Sequence, residues 1–219
     1  MRNNFFLTLL FFSLFAISCN KIDTDSNPSR LFQAGGRAAS ESAVGEAWSS
    51  LYAGDHEAAA AKFAAVLGSG DEDFIAEQSA ATGLRCGFGY SLLRAGRNDE
   101  ALYQFEFEAD RLIESAIGAA GIYLARREYA ECERKFAAFD KLYYESSPYA
   151  RNFKVCVNVN LEAHKILFLA YYYMPRTPAA AAGMKTQYSF IAGNTSETGI
   201  NESADKIFLK IIQGEANTK

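Results

Sequence analysis

The sequence predicts an all-α protein made of consecutive helical hairpins. Three observations carry that prediction. Alanine is abundant and only 4 of 219 residues are proline, while aromatics make up 14%; this composition suits packed helices and is far from a disordered profile. Apolar residues recur at three- and four-residue steps over several stretches. Finally, one spacing occurs three times: a turn residue, a small residue five places on and a phenylalanine nine places on. Its copies are Gly54/Ala59/Phe63, Gly96/Ala101/Phe105 and Arg127/Cys132/Phe136.

The N-terminus reads as a targeting segment. Arg2 precedes an apolar run from Phe5 to Ile17, too short for the roughly 20 residues that a membrane-spanning helix needs. The stretch "AISC", Ala16 to Cys19, resembles the lipobox of bacterial lipoproteins, with Ala16 standing where leucine is usual. The resemblance implies cleavage after residue 18 and acylation of Cys19, and several acyl chains hold a protein firmly to a bilayer. Residues 19–33 are polar and read as a tether. Loss of residues 1–18 removes Arg2 from a chain of formal charge −4. With no basic stripe to neutralise phosphates, nucleic acid is not an expected partner. Cys86, Cys132 and Cys156 lie among apolar neighbours and read as small buried hydrophobes.

Residues 34–175 carry the repeats. Each unit reads as a helix, a short turn and a second helix. Glycine at the turn supplies a left-handed C-cap without steric cost. Asp55, Asn98 and Asp99 stand where the second helices begin and suit their free N–H groups. The alanine lets helices approach, and the phenylalanine fills the gap between units. In the second unit Cys86, Gly89, Tyr90 and Leu93 share a helical face; in the third, Ile117, Ala120 and Leu124 do. The first helix of the first unit is expected to be short or shifted. The turn-to-turn steps are 42 and 31 residues. The long step is assigned to a loop extension at "LGSGDEDF", Leu67 to Phe74, and the short one to a trimmed connection after Phe107.

This pattern resembles the tetratricopeptide repeat, whose period is about 34 residues. Phe88-Gly89, Leu92 and Ala101-x3-Phe105 match its signature in the second unit; Ala119-Ala120, Tyr123 and Cys132-x3-Phe136 match it in the third. Trp48 lies eleven residues before Ala59, not at the family's tryptophan position. The resemblance covers residues 41–145 and implies a right-handed α-solenoid. It also implies a concave groove for a protein or peptide partner, lined here by Trp48, Leu51, Tyr52, Cys86, Tyr90, Leu93, Arg94, Ile117, Leu124 and Ala125. The groove lacks the lysines and asparagines with which some members clamp a C-terminal carboxylate.

Further on, Ser147-Pro148 reads as a helix start. Leu161 to Met174 reads as a buried helix stopped by Pro175 and Pro178. Residues 176–219 are expected to be an irregular segment followed by a capping helix at Glu202 to Gly214, with Ala204, Ile207, Phe208, Ile211 and Ile212 on one face.

Motifs for chemistry are incomplete. "HEAAA" at His56 has alanine where a zinc protease has its second histidine, and His164 sits in an unrelated helix; a solvated or locally bonded histidine is expected at both. "GFGYSL", Gly87 to Leu92, lacks the third glycine of a dinucleotide loop, so its glycines are assigned to close helix packing. Asp71 to Asp73 lacks the rest of a calcium loop. No enzyme, metal or cofactor is expected. The expected role is a lipid-anchored interaction scaffold or assembly factor of the bacterial cell envelope, at the outer membrane. The alternative is a glycan- or nutrient-binding accessory lipoprotein, which would use exposed coplanar rings at Tyr143, Tyr144, Tyr149 and Tyr171 to Tyr173.

Overall fold

The computed structural model describes residues 38–69, 72–144, 159–175 and 177–191. Among them every regular element is a helix: α1 (Ala38–Tyr52), α2 (His56–Leu67), α3 (Glu72–Thr82), α4 (Leu84–Arg94), α5 (Asn98–Glu106), α6 (Ile113–Arg126), α7 (Tyr129–Tyr144), α8 (Val159–Tyr173) and α9 (Pro178–Ile191). Cys19, Ser147-Pro148, Tyr149, Cys156 and the Glu202–Gly214 helix lie outside the described residues. No described helix is long and apolar enough to cross a membrane. The chain divides into two compact units, one of Ile22–Ala119 with Ala138–Val155, the other of Met1–Lys21, Ala120–Ala137 and Cys156–Lys219.

The three turns are built alike. Gly54 donates to the Leu51 carbonyl and Asp55 to Ser50; Gly96 donates to Leu93 and Arg97 to Leu92; Arg127 donates to Leu124 and Glu128 to Tyr123. This pair of bonds is the Schellman motif, which satisfies the last carbonyls of a helix. Its central residue must be left-handed, and φ is 84° at Gly54, 81° at Gly96 and 65° at Arg127. Ala59, Ala101 and Cys132 then bond back to Asp55, Arg97 and Glu128 to open the next helix. Asp55 caps α2 by accepting from Ala58 N–H at 3.2 Å. On α5 the cap position is Arg97, with no side-chain cap bond; Asn98 and Asp99 fall one and two residues later, in the first turn. A Cβ in the left-handed region costs roughly 1 kcal/mol. Arg127→Gly is therefore expected to stabilise the chain by about 0.5–1 kcal/mol, read from urea midpoints, while Gly96→Ala lowers stability by a similar amount.

In the first unit α1 packs on α2, α2 on α4, and α4 on α5. Phe63, Phe105 and Tyr90 are buried at its centre. The glycines of α4 and α6 make room for rings: a Cβ on Gly87 would lie 2.3 Å from Phe63 Cζ, and on Gly89 or Gly118 within 2.6 Å of the Phe105 ring. Tyr90 closes on Phe105 edge-on, centroids 4.9 Å apart, and its hydroxyl donates to the Glu114 carbonyl at 2.8 Å.

Two expectations for this unit are corrected. Of the two readings of the first helix, short or shifted, the short one does not hold: α1 runs for 15 residues. The 42-residue step is not a loop extension, because an additional helix, α3, begins at Glu72 and fills it. Only residues 68–71 connect it to α2. Gly83, at φ 62°, breaks α3 from α4. After α5, residues 107–112 form tight turns in which Arg111 and Leu112 both donate to the Glu108 carbonyl.

The other unit contains α8 packed on α9. Residues 162–170 of α8 are buried all round, as its nearly continuous apolar sequence requires. Gly183 lies against the Tyr171 ring, 2.6 Å from where its Cβ would stand. Residues 178–191 are a helix and not an irregular segment. Pro178 opens it and Thr177 caps it, its Oγ1 accepting from Ala180 N–H at 3.1 Å.

Candidate functional site

Most of the groove residues read from the sequence are core. Trp48, Leu51, Cys86, Tyr90, Leu93, Ile117 and Leu124 are all buried, which corrects their assignment to an open groove. An amphipathic helix turns its large apolar residues inward, and here that face meets other helices. Trp48 lies edge-on to Phe63 and stacks on Tyr52, and its indole N–H donates to the Thr82 carbonyl at 3.0 Å. Tyr52, Arg94 and Ala125 are half-buried.

Of the rings named for an aromatic platform, Tyr149 lies outside the described residues. Tyr171, Tyr172 and Tyr173 are half-buried, and the Tyr172 and Tyr173 rings stand at 90°. The Tyr171 hydroxyl donates to Glu133 at 2.6 Å, and burial together with that carboxylate pushes its pKa up. Of the two readings for His164, solvated or locally bonded, the bonded one holds. His164 is buried on α8, its ring stacked 4.2 Å from Phe190 and its Nδ1 bonded to Gln187 Oε1 at 2.7 Å. His56 is half-buried, and burial and then Arg94 lower its pKa. Cys86 and Cys132 are free, buried thiols. Burial pushes Cys132 up to about 12 and Cys86 well above its ordinary value, so neither is a nucleophile at neutral pH. No metal-binding group of His, Cys, Asp and Glu occurs among the described residues.

What the fold does present is a two-layer feature where α3, α4 and α5 meet. Its outer layer is aromatic and cationic. Tyr103 is 60% exposed and Phe107 52%, their rings edge-to-face with centroids 5.0 Å apart. The Arg85 guanidinium lies 4.1 Å over the Phe107 ring and donates to Gln104 Oε1 at 2.9 Å. Large apolar side chains at this exposure are unusual on a helix, and Tyr, Phe and Arg are residue types enriched at protein interfaces.

The inner layer is a buried carboxylate. Glu108, the residue after Phe107, points inward and accepts from the Ser79 hydroxyl of α3 and, at 3.1 Å, from the Cys86 N–H of α4. The reason lies in Gly83. It holds the N-cap place of α4 and has no side chain to cap with. Cys86 is the third residue of that helix, so its N–H has no intrahelical acceptor. Glu108 supplies one from 22 residues away. At the same joint, Trp48 satisfies the last turn of α3 through Thr82.

Burial raises the Glu108 carboxyl from 4.5 to about 7, against the pull of Ser79, the Cys86 N–H, Arg85 and Arg111. A group whose folded pKa lies above its unfolded one contributes stability that is complete below the unfolded value and is lost as pH rises through the folded one. The chain is therefore expected to be most stable near pH 5 and to lose on the order of 2–3 kcal/mol by pH 8 from this group alone. Glu108→Gln should flatten that slope in urea unfolding followed across the same range.

Comparison with known protein families, curated proteins and solved structures returns no match. Among the described residues every regular element is helical.

Proposed function

We propose that this chain is a lipid-anchored, tetratricopeptide-like helical-repeat protein of the bacterial cell envelope that holds or organises a protein partner. The observation that carries the reading is the exposed Tyr103–Phe107 pair with Arg85 stacked on it. Such rings would lose their contact with water on binding, and the arginine is already held in place to receive a partner. Three hairpin turns with one hydrogen-bond pattern support a repeat solenoid, in which each unit adds surface without new topology. The lipid anchor rests on Cys19 and the residues before it.

The test is cross-linking in intact envelopes, comparing wild type with a Tyr103→Ala/Phe107→Ala double variant. Wild type should recover a protein partner, and the double variant should lose most of it while its thermal midpoint holds. Equal recovery by both would remove this patch from the reading; no recovered partner at all would remove the scaffold. Labelled palmitate should enter wild type and not Cys19→Ser.

A further inference from the structure

The joint between α3 and α4 is closed by very few groups. Gly83 alone connects the two helices, in a left-handed conformation. Glu108 is bonded on one oxygen to Ser79, in the last turn of α3, and on the other to Cys86 N–H, in the first turn of α4. One carboxyl group therefore bridges both sides of a break in the backbone helix. It arrives from a third element, the tight turn after α5, whose own bonds from Arg111 and Leu112 N–H fix its position.

We propose that Glu108 is a proton-operated latch on the Gly83 joint: as the neutral acid it holds the ends of α3 and α4 together, and as the buried carboxylate it lets them part. The physical reason is desolvation. As the neutral acid Glu108 keeps both links, Oε2 accepting from Cys86 N–H and the Oε1 hydroxyl donating to Ser79 Oγ; as the carboxylate it accepts from both but has lost its water, and opening the joint returns that water. Charged and titratable groups reach Glu108 from each neighbouring element. From α3 comes the Ser79 hydroxyl. From α4 come the Arg85 guanidinium, held over Phe107, and the buried Cys86 thiol. The turn brings Arg111, which is exposed, and α6 brings the Glu114 carboxylate, which together with Glu108 acts on Cys86. Both arginines favour the carboxylate, but one is committed to a ring and the other is in solvent, so burial outweighs them.

The midpoint of the latch is set by that balance and falls near neutrality, at about 7. Between pH 5 and pH 8, opening of the joint becomes roughly a hundredfold more favourable. The latch also lies directly under the exposed patch, since Phe107 precedes Glu108 and Arg85 precedes Cys86 in the chain. Opening would thus disturb the Arg85–Phe107 stack. The latch itself does not depend on the interaction reading, because it can be measured in the chain alone.

The chain carries its own reporter. Trp48 is its one tryptophan, and its indole donates to Thr82, the last residue of α3. The experiment is Trp48 fluorescence of the full chain from pH 5 to 9, alongside amide exchange at Cys86 corrected for its intrinsic pH dependence. The expected result is a single transition centred near pH 7 in both readouts, absent in Glu108→Gln. Ser79→Ala removes a bond that favours the carboxylate, so the transition should move to higher pH; this variant decides the matter if Glu108→Gln does not fold. A flat wild-type titration overturns the latch. So does a transition retained in Glu108→Gln, which would belong to a histidine, or one that Ser79→Ala leaves in place.

Discussion

Phe105→Ala is expected to cost about 3–5 kcal/mol in urea unfolding, the range for a large ring removed from a packed core. The ring is fully buried, and Tyr90 meets it edge-on, an arrangement worth a further 0.5–1.5 kcal/mol, roughly, beyond buried area. Its seat is unusually rigid. Gly89 of α4 and Gly118 of α6 both present bare backbone to it, with a Cβ at either place falling within 2.6 Å of ring atoms. Two helix backbones cannot easily collapse into the space the ring leaves, so the cavity term should stay near its upper value. The same geometry predicts the reverse experiment. Gly118→Ala overfills the seat and should cost about 1–3 kcal/mol. In a Phe105→Leu background much of that cost should disappear, giving a coupling above roughly 0.5 kcal/mol in a double-mutant cycle. Additive losses would show that the ring is not confined by those two glycines.

The seat shows what a single sequence reveals and what it hides. The spacing from Gly96 to Ala101 and Phe105 is local, and one hairpin imposes it, so it can be read along the chain. The place where the ring lands is not local. Gly87 lies nine residues before the Gly96 turn and receives Phe63; Gly118 lies nine before Arg127 and receives Phe105. That offset belongs to the meeting of successive hairpins and is visible only once they are stacked. Trp48, Tyr90, Leu93 and Leu124 read as groove residues yet are core for a related reason. A helical face of large apolar residues reads the same whether it meets another helix or a ligand, and here it meets helices. Residues 178–191 do not read as a helix because alanines interrupted by Gly, Thr and Ser have no strong period. The start signal was nonetheless present in Thr177-Pro178, a cap followed by a first-turn proline. Glu108 had no signal of its own. It sits in the charged run "FEFEADR", where a glutamate reads as solvated, and its burial follows from the missing cap at Gly83. Tyr103 and Phe107 likewise fit a buried helical face by type, and only the packing of α5 turns them outward.

Lys165→Met should cost about 3–5 kcal/mol, the range for breaking a buried ion pair by removing one partner. Glu162 and Lys165 stand one turn apart on α8, both buried, with Nζ 3.1 Å from the carboxylate. The pair exists because α8 is enclosed on nearly every side, so residues that would face water on an amphipathic helix are taken into the core. Removing the ammonium leaves the carboxylate without its nearest positive charge in a place that has already lost its water. Removing both charges leaves no such penalty. The double variant Glu162→Met/Lys165→Met should therefore recover most of the loss and approach wild-type stability, since apolar replacements of similar length can match a buried pair. If the double variant is as weak as the single, the pair contributes through something other than mutual neutralisation, and the enclosure of α8 depends on those two charges being there.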